Sequence, residues 1–202
     1  MLRLGPEHGP TVIVAPPLFE EANRTRAILV GALRRLADRG IAGAIPDLPG
    51  QGESLLPTHA ARLTSWRHAY AAAVAALPRP IHIVAVRGGA LIDGQAAAAS
   101  RWHWSPMTGA DAVRELDRQR ASGGGDDYAG NLLAADLLGE LVTAEPMTAG
   151  PLRIVRMESD PRPADVTLAF PPPWRASEPR RDVALEAALA DDIARWVATC
   201  AV

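Results

Sequence analysis

The chain has 202 residues, 48 % of them hydrophobic and 22 % charged, with a formal net charge of −2. That is the length of one ordinary domain, and the balance excludes a disordered chain and a nucleic-acid binder acting through bulk charge. All 21 basic residues are arginine, which removes a lysine base, a Schiff base and a P-loop lysine from the possible chemistries. The single cysteine, Cys200, leaves no disulfide framework and no cysteine metal site, and fits a reducing cytoplasm.

The first ten residues, MLRLGPEHGP, hold no apolar core of signal-peptide length and break at Gly5 and Pro6. The longest apolar stretches, such as Tyr70 to Leu77, fall far short of the roughly 20 residues that cross a bilayer. A cytoplasmic chain without a membrane span is expected.

Taken in order, Thr11 to Ala15 (TVIVA) is a β-branched run closed by Pro16-Pro17 and reads as a buried strand. A helix is predicted from about Ala22 to Arg39, with Ile28, Leu29, Leu33, Leu36 and Ala37 on one face and Gly40 at its C-terminal cap. Ile41 to Pro46 is a second strand, running into Asp47 and the glycine-punctuated loop DLPGQGES. A helix from about Thr64 to Leu77 ends at Pro78 and Pro80. Ile81 to Val86 (IHIVAV) is the most strand-like segment. Arg87-Gly88-Gly89 then turns into a predicted small-residue helix, GALIDGQAAAA. Further strands are expected at Arg101 to Trp104, Leu152 to Met157 and Val166 to Phe170, and a last helix at about Asp182 to Cys200.

Apolar strands alternating with helices imply a mostly parallel sheet covered on both faces, with the strands at Thr11, Ile41, Ile81 and Leu152 expected as parallel neighbours. The stretch Met107 to Ala149 breaks that rhythm. It reads as two helical pieces around Ser122-Gly123-Gly124-Gly125-Asp126, a glycine hinge with no strand beside it, and is expected to cap the carboxyl ends of the strands within one domain spanning residues 1–202. In such sheets ligands bind at those carboxyl ends.

The turn Ala85-Val86-Arg87-Gly88-Gly89 has the small-x-X-x-small pattern of a nucleophile elbow, in which small residues relieve a strained, crowded turn. The nucleophile position is Arg87, which stays protonated and cannot attack anything. The histidines are His8, His59, His68, His82 and His103. None follows Val166 to Phe170, where the catalytic base of such an enzyme would lie. Asp160 can stand at the acid position but has no histidine to orient. Ser54 and Ser105 read as turn and structural serines.

Strand, loop, helix, strand, Asp-Leu-Pro-Gly-Gln-Gly-Glu-Ser, then strand and elbow resembles the α/β-hydrolase superfamily. Within it, Ala15-Pro16-Pro17-Leu18-Phe19-Glu20-Glu21-Ala22-Asn23-Arg24-Thr25-Arg26, the elbow Ala85 to Ala90, Trp104-Ser105-Pro106 and, loosely, Tyr128 to Leu133 are similar to the exosortase A system-associated hydrolases of the hydrolase 2 type. The similarity runs from about Thr11 to Val142. It implies an α/β-hydrolase-like fold with a helical lid, an arginine at the elbow as a trait of the branch, and a setting among polysaccharide-export and protein-sorting systems.

Two readings of Arg87 follow. Either a carboxylate from Glu20, Glu21 or Asp47 locks it permanently, or the pair lines a pocket for a small polar or anionic ligand. The ligand-binding set would be Arg87, Gly88, Glu20, Glu21, Asn23, Asp47 and Trp104. Asn23 also suits helix capping, and Trp102 and Trp104 suit packing beneath the lid or an aromatic wall. The leading function is a hydrolase-fold protein without the Ser-His-Asp triad. The alternatives are an esterase or acyltransferase in which Glu21 activates a water, and a partner-binding scaffold. No cluster has metal-ligand spacing. No cofactor is expected, and nothing indicates an oligomeric state.

Overall fold

A seven-stranded sheet organises the chain, in a computed structural model that describes residues 1–120 and 125–200. Its strands in chain order are β1 (Leu2–Leu4), β2 (Thr11–Ala15), β3 (Ala42–Ile45), β4 (Ile81–Val86), β5 (Ser100–Trp104), β8 (Leu152–Met157) and β9 (Val166–Leu168); β6 (Asp127–Tyr128) and β7 (Asn131–Leu132) form a separate hairpin. The order across the sheet is β1-β3-β2-β4-β5-β8-β9. Every pairing is parallel except β1 with β3. The helices are α1 (Glu20–Ala37), α2 (Leu63–Ala75), α3 (Gly109–Gln119), α4 (Ala135–Val142) and α5 (Val183–Thr199).

The two faces of the sheet are filled by alternate residues of the same strands. Val12, Val14, Val84, Val86 and Val155 pack under α1 and α5, whose Ile28, Leu33, Leu36, Leu189 and Ile193 complete that core. Ile13, Ala15, Ile81, Ile83 and Ala85 pack under α2 and under residues of α3 and α4, among them Leu63, Trp66, Leu116, Leu137 and Leu141. Helix α1 carries Glu20 and Glu21 in its first turn and Arg34 and Arg35 in its last, matching its macrodipole. It approaches α5 closely at Gly31, where a Cβ would stand 2.1 Å from Glu186 Cδ.

Two buried acids of α5 are held by ion pairs, and the second of them ties the helix to the sheet. Glu186 accepts from Arg181 Nε at 2.8 Å and Nη2 at 2.7 Å. Asp192, on α5, accepts from Arg153 at 2.9 Å through both nitrogens, from Trp102 Nε1 at 2.8 Å and from Arg195 at 3.1 Å. Burial alone would raise the Asp192 carboxyl, but these donors outweigh it and hold the group below the ordinary carboxylate value.

The structure corrects the sequence reading in four places. The edge strand β1 was not expected; it is short and half-exposed, so it carries no apolar run. The segment after the elbow is not an α-helix but two 3₁₀ turns, Arg87–Leu91 and Asp93–Gln95. Gly88, Gly89 and Gly94 lower helix propensity there. The stretch 107–149 holds the β6–β7 hairpin as well as α3 and α4. Of the expected hinge, Ser122, Gly123 and Gly124 lie outside the described residues. Finally, β8 does not adjoin β4, because β5 is inserted between them.

Among the described residues no helix is long and apolar enough to cross a membrane.

The elbow depends on a backbone approach that only glycine permits. A Cβ on Gly89 would stand 2.1 Å from Ala15 O and 2.7 Å from Pro16 O, against rigid main chain on both counts. Gly89→Ala is therefore expected to cost about 3 kcal/mol, a fall in Tm of roughly 6–12 °C. Gly139→Ala, in α4 with open space around it, should instead raise stability by about 0.5–1 kcal/mol. Thermal unfolding of the two variants checks both signs.

Candidate functional site

From β2 the chain passes through α1 to β3 on one side of the sheet, and from β4 it passes to β5 on the other. The crevice between the carboxyl ends of β2 and β4 is thus a topological switch point. Three non-glycine residues at strand ends here have left-handed backbone: Phe19 (φ 55°) after β2, Arg87 (φ 53°) after β4 and Ser105 (φ 45°) after β5. Such conformations are costly, and they persist where the surrounding structure enforces them. At Arg87 the enforcement comes from Gly89 against the end of β2 and from Gly88 against Leu18.

Arg87 is 5 % exposed. Its Nε donates to Glu21 Oε1 and Oε2 at 3.1 and 3.3 Å, and its Nη2 donates to Glu21 Oε1 at 2.9 Å. The same Nη2 reaches Glu115 Oε1 on α3 at 3.4 Å. The guanidinium carbon lies 4.9 Å from the centre of the Trp174 ring, a cation–π contact. Trp174 comes from the loop after β9. It packs edge-on against Trp104 with centroids 5.3 Å apart, and its carbonyl accepts from Arg24 Nη1 at 3.0 Å. Nη1 of Arg87 has no hydrogen-bond partner among the described residues.

Burial pushes the Glu21 carboxyl above its ordinary value, and the Arg87 charge and hydrogen bonds offset this only in part. Glu21 faces a slot of about 30 Å³ with Leu18, Gly88, Met107 and Leu116. Arg87 also borders a cleft of about 330 Å³, whose charged lining is Arg87, Arg114, Arg118 and Arg162 with Asp111, Glu115 and Asp160. Asp160, just after β8, accepts from Arg156 Nη1 and Arg162 Nη2 at 2.8 Å each. Burial would raise it, but the hydrogen bonds from Arg162 and Arg156 prevail and hold it well below the carboxylate range.

Of the expected site residues, Arg87, Glu21 and Gly88 are brought together, and Glu20 borders the same slot as Glu21 and Gly88. Asp47 is not near them: it accepts from the Met1 amine at 2.9 Å. Glu20 accepts from Asn23 Nδ2 at 3.3 Å. Asn23 and Asp47 both line a different cleft. Trp104 is fully buried on the α1–α5 face, away from α3 and α4, and donates to Met157 Sδ at 3.2 Å. Neither it nor Trp102 packs under α3 and α4, because they share the strand parity of Val84 and Val86 across the ladder. His103 sits in the core with its Nε2 3.1 Å from Asp93 Oδ2, and His82 Nδ1 pairs with Ser100 Oγ at 2.8 Å. Ser54 Oγ accepts from Gly50 N and Leu56 N, as a turn serine does.

The residues missed from sequence are Glu115 and Trp174. Trp174 lies in a proline-rich loop, PPPWRASEPRR, with no periodicity to mark which side chain turns toward the sheet. Among the described residues, no group of three or more His, Cys, Asp or Glu side chains could hold a metal ion.

The Arg87–Glu21 contact has a measurable signature. Glu21→Gln alone leaves a buried guanidinium short of its counter-charge and is expected to cost about 3 kcal/mol. Adding Arg87→Met should cost less than the sum of the single changes by more than about 1 kcal/mol in a thermal-unfolding cycle. Additivity within about 0.5 kcal/mol would show that the two side chains do not interact.

No family model matches the sequence, and no curated protein matches it. Solved structures do. Est1E from Butyrivibrio proteoclasticus with ferulic acid bound is 16 % identical, with a TM-score of 0.63 over 96 % of this chain and 91 % of that one. Est1E from the same organism in a second structure gives a TM-score of 0.59 at 16 % identity, over 96 % and 90 % of the chains. A protein of Agrobacterium vitis S4 described as a hydrolase gives 0.60 at 15 % identity, over 96 % and 91 %. With its parallel sheet, crossovers and strained turn after β4, the chain has the α/β-hydrolase fold.

Proposed function

We propose that this is an α/β-hydrolase-fold protein without triad chemistry, which binds a small carboxylate- or phosphate-bearing ligand at the elbow. The observation that carries this reading is Arg87 itself. A permanent cation stands on the strained turn where a nucleophile belongs, its Nη1 has no partner among the described residues, and the side chain borders a cleft of about 330 Å³. Glu21 fixes the guanidinium through Nε and Nη2, so the remaining edge is pre-oriented for an oxyanion. In this reading residues 1–202 are one domain, residues 107–149 are its cap, and the protein is cytoplasmic. Its similarity to the exosortase-associated branch supports a place beside polysaccharide-export or protein-sorting machinery.

Glu115 is the competitor built into the site. Its carboxylate takes the long, 3.4 Å contact on Nη2 and is one-third exposed, so an incoming anion can displace it at little cost. A second reading uses Glu21 as a water-activating base, which its raised pKa favours. Against it, both Glu21 oxygens are already engaged by Arg87.

Calorimetric titration with acetate, benzoate and inorganic phosphate tests the proposal. Millimolar binding is expected, tightened about fivefold (~1 kcal/mol) by Glu115→Gln and lost in Arg87→Lys, which keeps the charge but not the fork. Weaker binding by Glu115→Gln would contradict it. So would stoichiometric labelling of any serine by a fluorophosphonate, or turnover of short p-nitrophenyl esters above the level of Arg87→Ala.

A further inference from the structure

Four of the five tryptophans commit their indole N–H inside the protein. Trp66 Nε1 donates to Pro49 O at 2.7 Å, Trp102 Nε1 to Asp192 Oδ2 at 2.8 Å, Trp104 Nε1 to Met157 Sδ at 3.2 Å and Trp196 Nε1 to Arg101 O at 3.0 Å. The exception is Trp174. It is only 6 % exposed, yet its Nε1 has no hydrogen-bond partner among the described residues. A buried indole N–H usually finds an acceptor, so this one asks for a partner from outside the chain.

The open N–H is not sealed in. Among the described residues, the side-chain nitrogens and oxygens that are both shut off from solvent and unpartnered belong to Thr11, Gln51, His82, Asp93 and Ser105. Trp174 Nε1 and Arg87 Nη1 are outside that group. Each keeps surface accessible to solvent on a residue otherwise more than nine-tenths buried.

These two donors are neighbours. The guanidinium carbon of Arg87 lies 4.9 Å from the centre of the Trp174 ring, which keeps both N–H groups within the span of one small oxyanion. Neither side chain is free to turn away. Glu21 grips Arg87 through Nε and Nη2. Trp174 sits in the 3₁₀ turn Pro173–Arg175, directly after Pro171 and Pro172, whose rings restrict the chain. Its ring leans edge-on against Trp104, and its carbonyl accepts from Arg24 Nη1 at 3.0 Å. Donors fixed in advance bind without the cost of ordering them.

The number of open donors selects the anion. A carboxylate has two oxygens, and one donor to each engages both. A phosphate brings further charged oxygens. The other arginines of the cleft beside Arg87 each already face an acid: Arg114 pairs with Asp111, Arg118 with Glu115 at 4.0 Å and Arg162 with Asp160 at 2.8 Å. Those acids only accept, and would meet a third phosphate oxygen as a like charge.

We infer that Trp174 is a ligand-binding residue whose indole N–H is the second donor beside Arg87, and that the ligand taken there is a monocarboxylate. This rests on the reading of the elbow as an anion site and narrows it.

Indole ¹⁵N–¹H NMR of the full chain, titrated with acetate and with inorganic phosphate, tests the inference. The Trp174 signal, assigned by nuclear Overhauser contacts to the Trp104 ring, is expected to exchange with water faster than the other four. Acetate should move it downfield and leave the others in place. Trp174→Phe keeps a ring over the guanidinium but loses the N–H, and should weaken acetate binding about fivefold; a packing role alone predicts no change. Phosphate should bind at least about fivefold more weakly than acetate. Acetate binding that is lost in Arg87→Lys but leaves the Trp174 indole signal unmoved would overturn the inference while the elbow reading stands. So would unchanged affinity in Trp174→Phe, or tighter binding of phosphate than of acetate. Absence of acetate binding altogether would overturn both.

Discussion

A guanidinium cannot be neutralised at any physiological pH, so burying one obliges the fold to supply a counter-charge and hydrogen-bond acceptors around it. Arg87 imposes that obligation at the most crowded turn of the sheet. Glu21 answers from the first turn of α1, Trp174 from the loop after β9 and Glu115 from α3. Three elements far apart in sequence are thereby fixed around the end of β4. The same groups that stabilise the cation also shape what is left of its surroundings: among the described residues Nη1 has no partner, and the side chain borders a cleft.

The surrounding core is stiff for related reasons. Beneath α2 and the elbow, Asp93 is fully buried, and its Oδ2 accepts from Arg101 Nε at 3.0 Å and meets His103 at 3.1 Å. Arg101 also donates to the carbonyls of Asp93 and Ala96 at 3.2 and 2.7 Å. This network pins the two 3₁₀ turns after the elbow to β5. On the opposite face Asp192 does the same for α5, β5 and β8. Buried ionic networks of this kind add little net stability over apolar packing, but half-satisfied they are costly, so they disfavour alternative arrangements.

Much of the fold was legible because the strands that matter are apolar on both faces. TVIVA and IHIVAV could only be interior parallel strands, and the amphipathic spacing of α1 and α5 named their buried sides. Element β1 was hidden by its shortness, and the post-elbow segment was misread because alanine-rich composition outweighed its glycines. At the site, Glu21 was within reach of sequence reasoning because β2 and β4 are neighbours in this topology. Glu115 and Trp174 were not, since their approach depends on how α3 and a proline-rich loop fold back over the sheet. The orientation of Trp104 was available from strand parity alone: Arg101 and His103 share one face, Trp102 and Trp104 the other.

The most direct measurement is the side-chain NMR signature of Arg87 in uniformly ¹⁵N-labelled protein. A guanidinium held through Nε and Nη2 by Glu21 should give a slowly exchanging, downfield Nε–Hε signal, lost in Glu21→Gln. Added acetate should shift the Nη1 resonances while leaving Nε–Hε in place. A rapidly exchanging Nε–Hε signal indifferent to Glu21→Gln, with no response to anions at Nη1, would contradict the assignment of the elbow as a locked cation with one edge open to a ligand.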